Sequence, residues 1–197
     1  MNPLFLSEND PELSAVLVEI LETGGVFIFP SDTVYGIGGN PWDEQALARV
    51  CTMKGRRTDQ PFTLHLPTLA SVERFAHLDT GVRAILERFL PGPLTFLLTA
   101  SEGAPHSAVA TGKIGVRVPD HFFFSAVMAG IDRPLFGTSV NRSGEPPLTR
   151  VEEIIERFNR VDLIVEGSPG SGSPSAIIDL TVSPPRALRG DLPSGLQ

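Results

Sequence analysis

The chain has 197 residues, 41% of them hydrophobic and 20% charged, the profile of a globular domain with one core. No apolar run approaches the ~18 residues of a membrane span, Met1-Asn2-Pro3-Leu4-Phe5 lacks a basic leader, and Cys51 is the only cysteine, so an internal disulfide and a Cys-based zinc site are excluded. The formal charge of −7 speaks against broad nucleic-acid affinity, which comes from neutralising phosphates.

In chain order, Asp10-Pro11 opens an amphipathic helix on Leu13, Val16, Leu17, Ile20 and Leu21, ended by Gly24-Gly25. Val26–Phe29 reads as a buried strand, 43–53 as a helix closed by Lys54-Gly55, and 62–66 as a strand carrying His65. Helices are predicted over 68–76 and 79–90, before Pro91-Gly92-Pro93 stops the chain. Strands follow over 94–99, 114–118 and 134–139, with a helix over 121–129 between them. A helix over 151–158 puts Glu152, Glu153 and Glu156 on its wet face, and strands over 161–165, 176–180 and near Ala187 finish the chain. Strands and helices mix without strict alternation, which predicts an α/β fold with one twisted, mixed sheet. The expectation is a single domain over 1–197, placed in the cytoplasm. Gly167–Pro174 reads as a flexible surface loop or a flap over a site.

Several motifs fail. Thr111-Gly112-Lys113-Ile114 lacks the leading glycine and trailing hydroxyl of a Walker loop. Gly36-Ile37-Gly38 meets Pro41 where a dinucleotide fingerprint needs glycine, and Asn141 stands where a nucleophile elbow ends in glycine. The four histidines lack metal-ligand spacing, so no protein-held metal is expected.

Other segments survive. Only Lys54 and Lys113 are lysines among the 16 Lys and Arg; the rest are arginines, suited to gripping carboxylate and phosphate. Pro30–Gly38 follows a buried strand with hydroxyls and glycines, where open α/β sheets bind ligands, although a turn would use the same residues. Lys54-Gly55-Arg56-Arg57 is a candidate phosphate clamp or a helix end decorated to suit its dipole. Arg117 sits inside an apolar strand and needs an anion, whether ligand or protein acid. Thr138–Pro146, Ser175–Asp179 and Arg186–Gly190 read equally as strand-edge turns or as parts of a site.

In this order, Pro30-Ser31-Asp32-Thr33-Val34-Tyr35-Gly36, Lys54-Gly55-Arg56, Pro91-Gly92-Pro93-Leu94-Thr95, Gly115-Val116-Arg117-Val118-Pro119, Ser139-Val140-Asn141-Arg142-Ser143-Gly144 and Leu188-Arg189 resemble the YrdC/Sua5 family of threonylcarbamoyl-AMP synthases. The resemblance covers about residues 12–190 and implies helices around one sheet with a deep concave cavity, in the short form without the extra Sua5 C-terminal domain. It implies a nucleotidyltransferase that turns L-threonine, bicarbonate and ATP (with Mg2+) into L-threonylcarbamoyl-AMP and pyrophosphate for the t6A modification of tRNA. A TsaD/TsaB/TsaE-like transferase machinery then consumes the product. By the same resemblance Lys54, Arg56, Gln60, Lys113, Asn141, Thr149 and Arg189 face ATP, with Lys54 and Arg56 meeting transition-state charge. Thr33, His65, Arg117, Ser139 and Ser175 hold threonine, Arg117 at its carboxylate, and Tyr35 walls the pocket. No covalent intermediate is implied, and Cys51 belongs to the core. Departures from the family pattern are Arg57 after Lys-Gly-Arg, Gln60 for asparagine, Val140 for alanine and Ala176 for threonine; they bear on nucleotide geometry. The competing readings are an RNA-binding module, with a weak tRNA contact on Lys54, Arg56 and Arg57, and a paralogue with another carbamoyl or adenylate substrate.

Overall fold

The computed structural model describes residues 3–196. Eleven strands form one sheet: β1 (Leu4–Ser7), β2 (Val26–Phe29), β3 (Gly36–Gly39), β4 (Thr63–His65), β5 (Leu94–Thr99), β6 (Val109–Ala110), β7 (Lys113–Arg117), β8 (Leu135–Ser139), β9 (Leu163–Glu166), β10 (Ala176–Asp179) and β11 (Arg186–Arg189). Their spatial order is β1-β9-β2-β3-β8-β4-β7-β5-β10-β11, with β6 paired to β7 off that path. β1 and β2 run parallel to β9, β4 to β7 and β5 to β10, while β3 and β8 run antiparallel to both of their neighbours. The sheet is mixed, as the interleaved pattern predicts.

Helices α1 (Leu13–Glu22), α2 (Glu44–Lys54), α3 (Thr80–Phe89), α4 (Ala129–Ile131) and α5 (Val151–Arg157) pack around it. The Asp43 carboxylate accepts from Ala46 N and opens α2; Gly55, in the left-handed region at φ 60°, closes it. Asp79 caps α3 in the same way, through Val82 N. The core lies against the sheet in three buried clusters. Val26, Phe27, Ile28 and Phe29 are fully buried, which is why β2 reads as a continuous apolar run. Each such side chain contributes ~1.5–3 kcal/mol by leaving water.

Three strands were not predicted. β1 has only one partner strand, β6 has two residues, and β3 is the glycine-rich part of the Pro30–Gly38 segment. β3 has almost no side chains to pattern, so only its pairing with β2 and β8 makes it a strand. The helix expected over 68–76 is a five-residue 3-10 turn, Ala70–Arg74. The one expected over 121–129 is a π-helical turn, Phe123–Met128, leading into α4. There Phe123, Phe124 and Met128 pack against the core, and that packing overrides the helical period.

Candidate functional site

A cavity of about 190 Å3 opens on the sheet. β2, β4, β7 and β8 supply it at or just past their C-terminal ends, with Ser31, His65, Arg117 and Ser139. β5 and β10 run against β7 and supply it at their starts, with Thr95 and Ser175; β11 adds Arg189 at its end. Gly137 of β8 makes the floor: a Cβ there would stand 2.6 Å from His65 Nδ1 and 3.2 Å from the Phe29 ring. The missing side chain lets the imidazole lie on the sheet.

Eight of the residues expected from sequence meet in this lining: Thr33, Tyr35, Arg56, His65, Arg117, Ser139, Ser175 and Arg189. Five do not. Lys54 lies behind the wall, 3% exposed, donating to Ser139 O (2.5 Å), Asn141 O (2.8 Å) and Asn141 Oδ1 (3.1 Å). Those three bonds use all three ammonium protons. Asn141 is committed to the same turn: Oδ1 also accepts from Ser139 Oγ (2.6 Å), and Nδ2 donates to Arg142 O and Glu145 O. Lys113 starts the strand that Arg117 ends, on the same face but about 13 Å away. It is paired with Asp179 at 2.8 Å. Gln60 and Thr149 are exposed outside the lining.

His65 is buried against Phe29 and Phe124. Burial first, and then the Arg117 charge, push its pKa down to about 3, so the ring is neutral. Nδ1 lies 3.3 Å from Thr63 O, which favours the proton on Nδ1 and leaves Nε2 as an acceptor. Burial and the Arg56 charge lower Lys54 to about 8. Burial raises the Tyr35 hydroxyl, which donates to Gly167 O.

Three guanidiniums face the cavity. Arg56 NH2 donates to Pro61 O (2.7 Å), and the group lies 4.8 Å from the centre of the Phe62 ring. Arg189 donates through Nε to Ser175 O (2.8 Å) and through NH2 to Ser175 Oγ (3.1 Å), and Ser175 Oγ meets Thr95 Oγ1 at 2.9 Å. Among the described residues neither Arg56 nor Arg189 has a carboxylate within ion-pair distance. Both are oriented by neutral oxygens, so their charge remains available to an anion. Arg117 is paired with Asp32. Sequence reasoning required an anion for Arg117 but did not choose Asp32, although it stands inside the Ser31-Asp32-Thr33 segment. Thr63, Thr95 and Thr138 were likewise given no role and line the cavity.

The Gly167–Pro174 loop is tied down, not free. Gly170, Ser171 and Gly172 donate to Ser31 O (2.9 Å), Asp32 O (3.1 Å) and Thr33 O (2.8 Å), and Ser168 O lies 3.0 Å from His121 Nε2. A Cβ on Gly170 would stand 2.1 Å from Asp32 O, so glycine is required for this approach. The loop's composition allowed flexibility; in the fold its backbone donates to the carbonyls of residues 31–33.

Among the described residues no helix is long and apolar enough to cross a membrane, and no three metal-ligating side chains cluster. A family model for Sua5, YciO and YrdC proteins, described as telomere recombination, matches residues 19–190. The chain is 36% identical over 182 residues to a threonylcarbamoyl-AMP synthase of Pyrococcus abyssi, covering 89% of this chain and 52% of that one. It thus spans about half the length of that relative. The structure of P. abyssi Sua5 complexed with L-threonine superposes with a TM-score of 0.85 at 30% identity, over 96% of this chain and 57% of that one. Escherichia coli YciO superposes with a TM-score of 0.85 at 27% identity, over 96% of each chain.

Proposed function

The chain belongs to the Sua5/YciO/YrdC family, and from that premise we propose that its cavity makes L-threonylcarbamoyl-AMP and pyrophosphate from L-threonine, bicarbonate and ATP, as a soluble cytoplasmic enzyme of the nucleotidyltransferase class. The observation that carries the reading is the convergence of three arginines, a neutral histidine and several hydroxyls on one cavity, in a fold that superposes on Sua5 bound to L-threonine.

The chemistry needs positioning and positive charge more than a covalent partner. Threonine's amine and bicarbonate give a carbamate and water. A carbamate oxygen then attacks the α-phosphorus of ATP, and the bond to the bridging oxygen breaks with pyrophosphate leaving. Arg117 takes the threonine carboxylate. His65 Nε2 and Thr33 address the amino acid's hydroxyl, which makes valine a poor substitute because it leaves these buried groups unpaired. Arg56 and Arg189 stabilise the charge that builds on the phosphates. Lys54 acts from behind, holding the Ser139–Asn141 turn. Tyr35 and the pinned 167–174 loop shield the labile carbamate and mixed anhydride from water.

Magnesium accompanies the triphosphate as part of the substrate. The product feeds a TsaD/TsaB/TsaE-like transferase that forms t6A. The test is pyrophosphate release from ATP and bicarbonate, with and without L-threonine, beside Arg56→Ala. The expected result is threonine-dependent release that falls by at least about a hundredfold in the variant. No release from folded protein with magnesium present overturns the synthase reading; bare tRNA binding without turnover would point to an RNA module.

A further inference from the structure

We propose that Asp32 is the positioning residue of Arg117, the carboxylate that aims this guanidinium into the cavity and fixes the affinity for the amino-acid substrate. The inference rests on the reading of Arg117 as the partner of the threonine carboxylate. Arg117 lines the cavity; Asp32 does not, and stands behind it. The pair is sealed, with side chains 5% and 11% exposed. Arg117 NH2 donates to Asp32 Oδ1, while Arg117 Nε and Asp32 Oδ2 are buried without partners. A forked pair would have satisfied both atoms. This pair is joined at one arm, so Asp32 orients the guanidinium while taking one of its donors.

No charge in the lining can do this. The other charged groups there are Arg56 and Arg189, both cations that repel Arg117. The main chain that carries the carboxylate is itself held: Asp32 O accepts from Ser171 N, and the carbonyls of Ser31 and Thr33 on either side accept from Gly170 and Gly172. The 167–174 loop therefore sets Asp32, Asp32 sets Arg117, and Arg117 meets the substrate.

The experiment measures L-threonine and ATP affinity calorimetrically on the full chain for wild type, Asp32→Asn, Arg117→Gln and the double variant. Removing one partner of a sealed charge pair should weaken L-threonine binding at least about tenfold in Asp32→Asn. ATP affinity should stay within about twofold. In the Arg117→Gln background Asp32→Asn should add no further loss, which a merely structural role would not reproduce. Unchanged threonine affinity in Asp32→Asn, or an equal loss without Arg117, overturns the proposal. A thermal melt reports folding; if Asp32→Asn does not fold, Asp32→Glu decides, with partial retention of affinity expected and wild-type affinity overturning it. If wild-type protein binds no L-threonine, the substrate reading fails by itself. The Arg117 Nε–H resonance then still tests the pair: Asp32→Asn must shift it, and an unshifted resonance overturns the proposal.

Discussion

His65 shows how a buried group turns environment into pH dependence. In the fold the ring stays neutral down to about pH 3, whereas the unfolded chain takes up the proton near 6.5. Between those values the unfolded state binds more protons, so stability rises with pH there. The contribution is complete above pH 6.5 and is lost progressively as the pH falls toward 3. His65→Asn cannot titrate and should remove up to about 1.4 kcal/mol of slope per pH unit. Urea unfolding of both proteins from about pH 7 down to 5 checks this: wild type should lose stability relative to the variant on acidification, and a constant difference would refute it. Lys54 illustrates a different limit. Its place in the Lys-Gly-Arg segment was legible, but its three protein acceptors were not, because they come from a turn 85 and 87 residues away.

Elements place these residues by where they end. α2 closes at Gly55 in the left-handed region, and Arg56 beyond it reaches the cavity while Lys54 stays behind the wall. β7 carries Arg117 at one end and Lys113 at the other, so one strand serves the cavity and a separate ion pair with Asp179. The 167–174 segment is held to residues 31–33 by three backbone hydrogen bonds, donated by Gly170, Ser171 and Gly172. Gly170→Ala would drive a Cβ into a backbone oxygen, which no side-chain movement relieves. The expected outcome is faster limited proteolysis within 167–174 and L-threonine affinity lowered several-fold, with the melting temperature changed little. Uniform destabilisation with an intact loop would contradict that coupling. The bounds of α2, β2 and β5 could be read from periodicity and the Asp43 cap; α1 starts at Leu13 after Glu12, which makes no side-chain cap bond, and not at Asp10-Pro11 as expected. β3 and the π-helical turn could not, because glycine carries no pattern and the three phenylalanines at 122–124 answer to packing partners that sequence does not show.

Over the whole molecule, a net charge of −7 surrounds a cavity whose lining carries three arginines. A focused positive site on an acidic body attracts small anions. KM for ATP should therefore rise with ionic strength between about 0.05 and 0.5 M, as the screening length shrinks. The rise should be shallower in Arg189→Ala; parallel curves for the two proteins would assign the salt effect elsewhere. The sequence by itself determined the mixed α/β class, the apolar strands and capped helices, and the segments that carry hydroxyls, arginines and glycines in family order. Those properties are local, set by periods, caps and residue chemistry within a few positions. Only the tertiary structure decided which of the candidates share a cavity, that Asp32 supplies the anion Arg117 requires, and that the glycine-rich loop is tied down. Each of those outcomes is a contact between segments far apart in the chain, fixed by strand order and register, and no spacing along a single sequence encodes them.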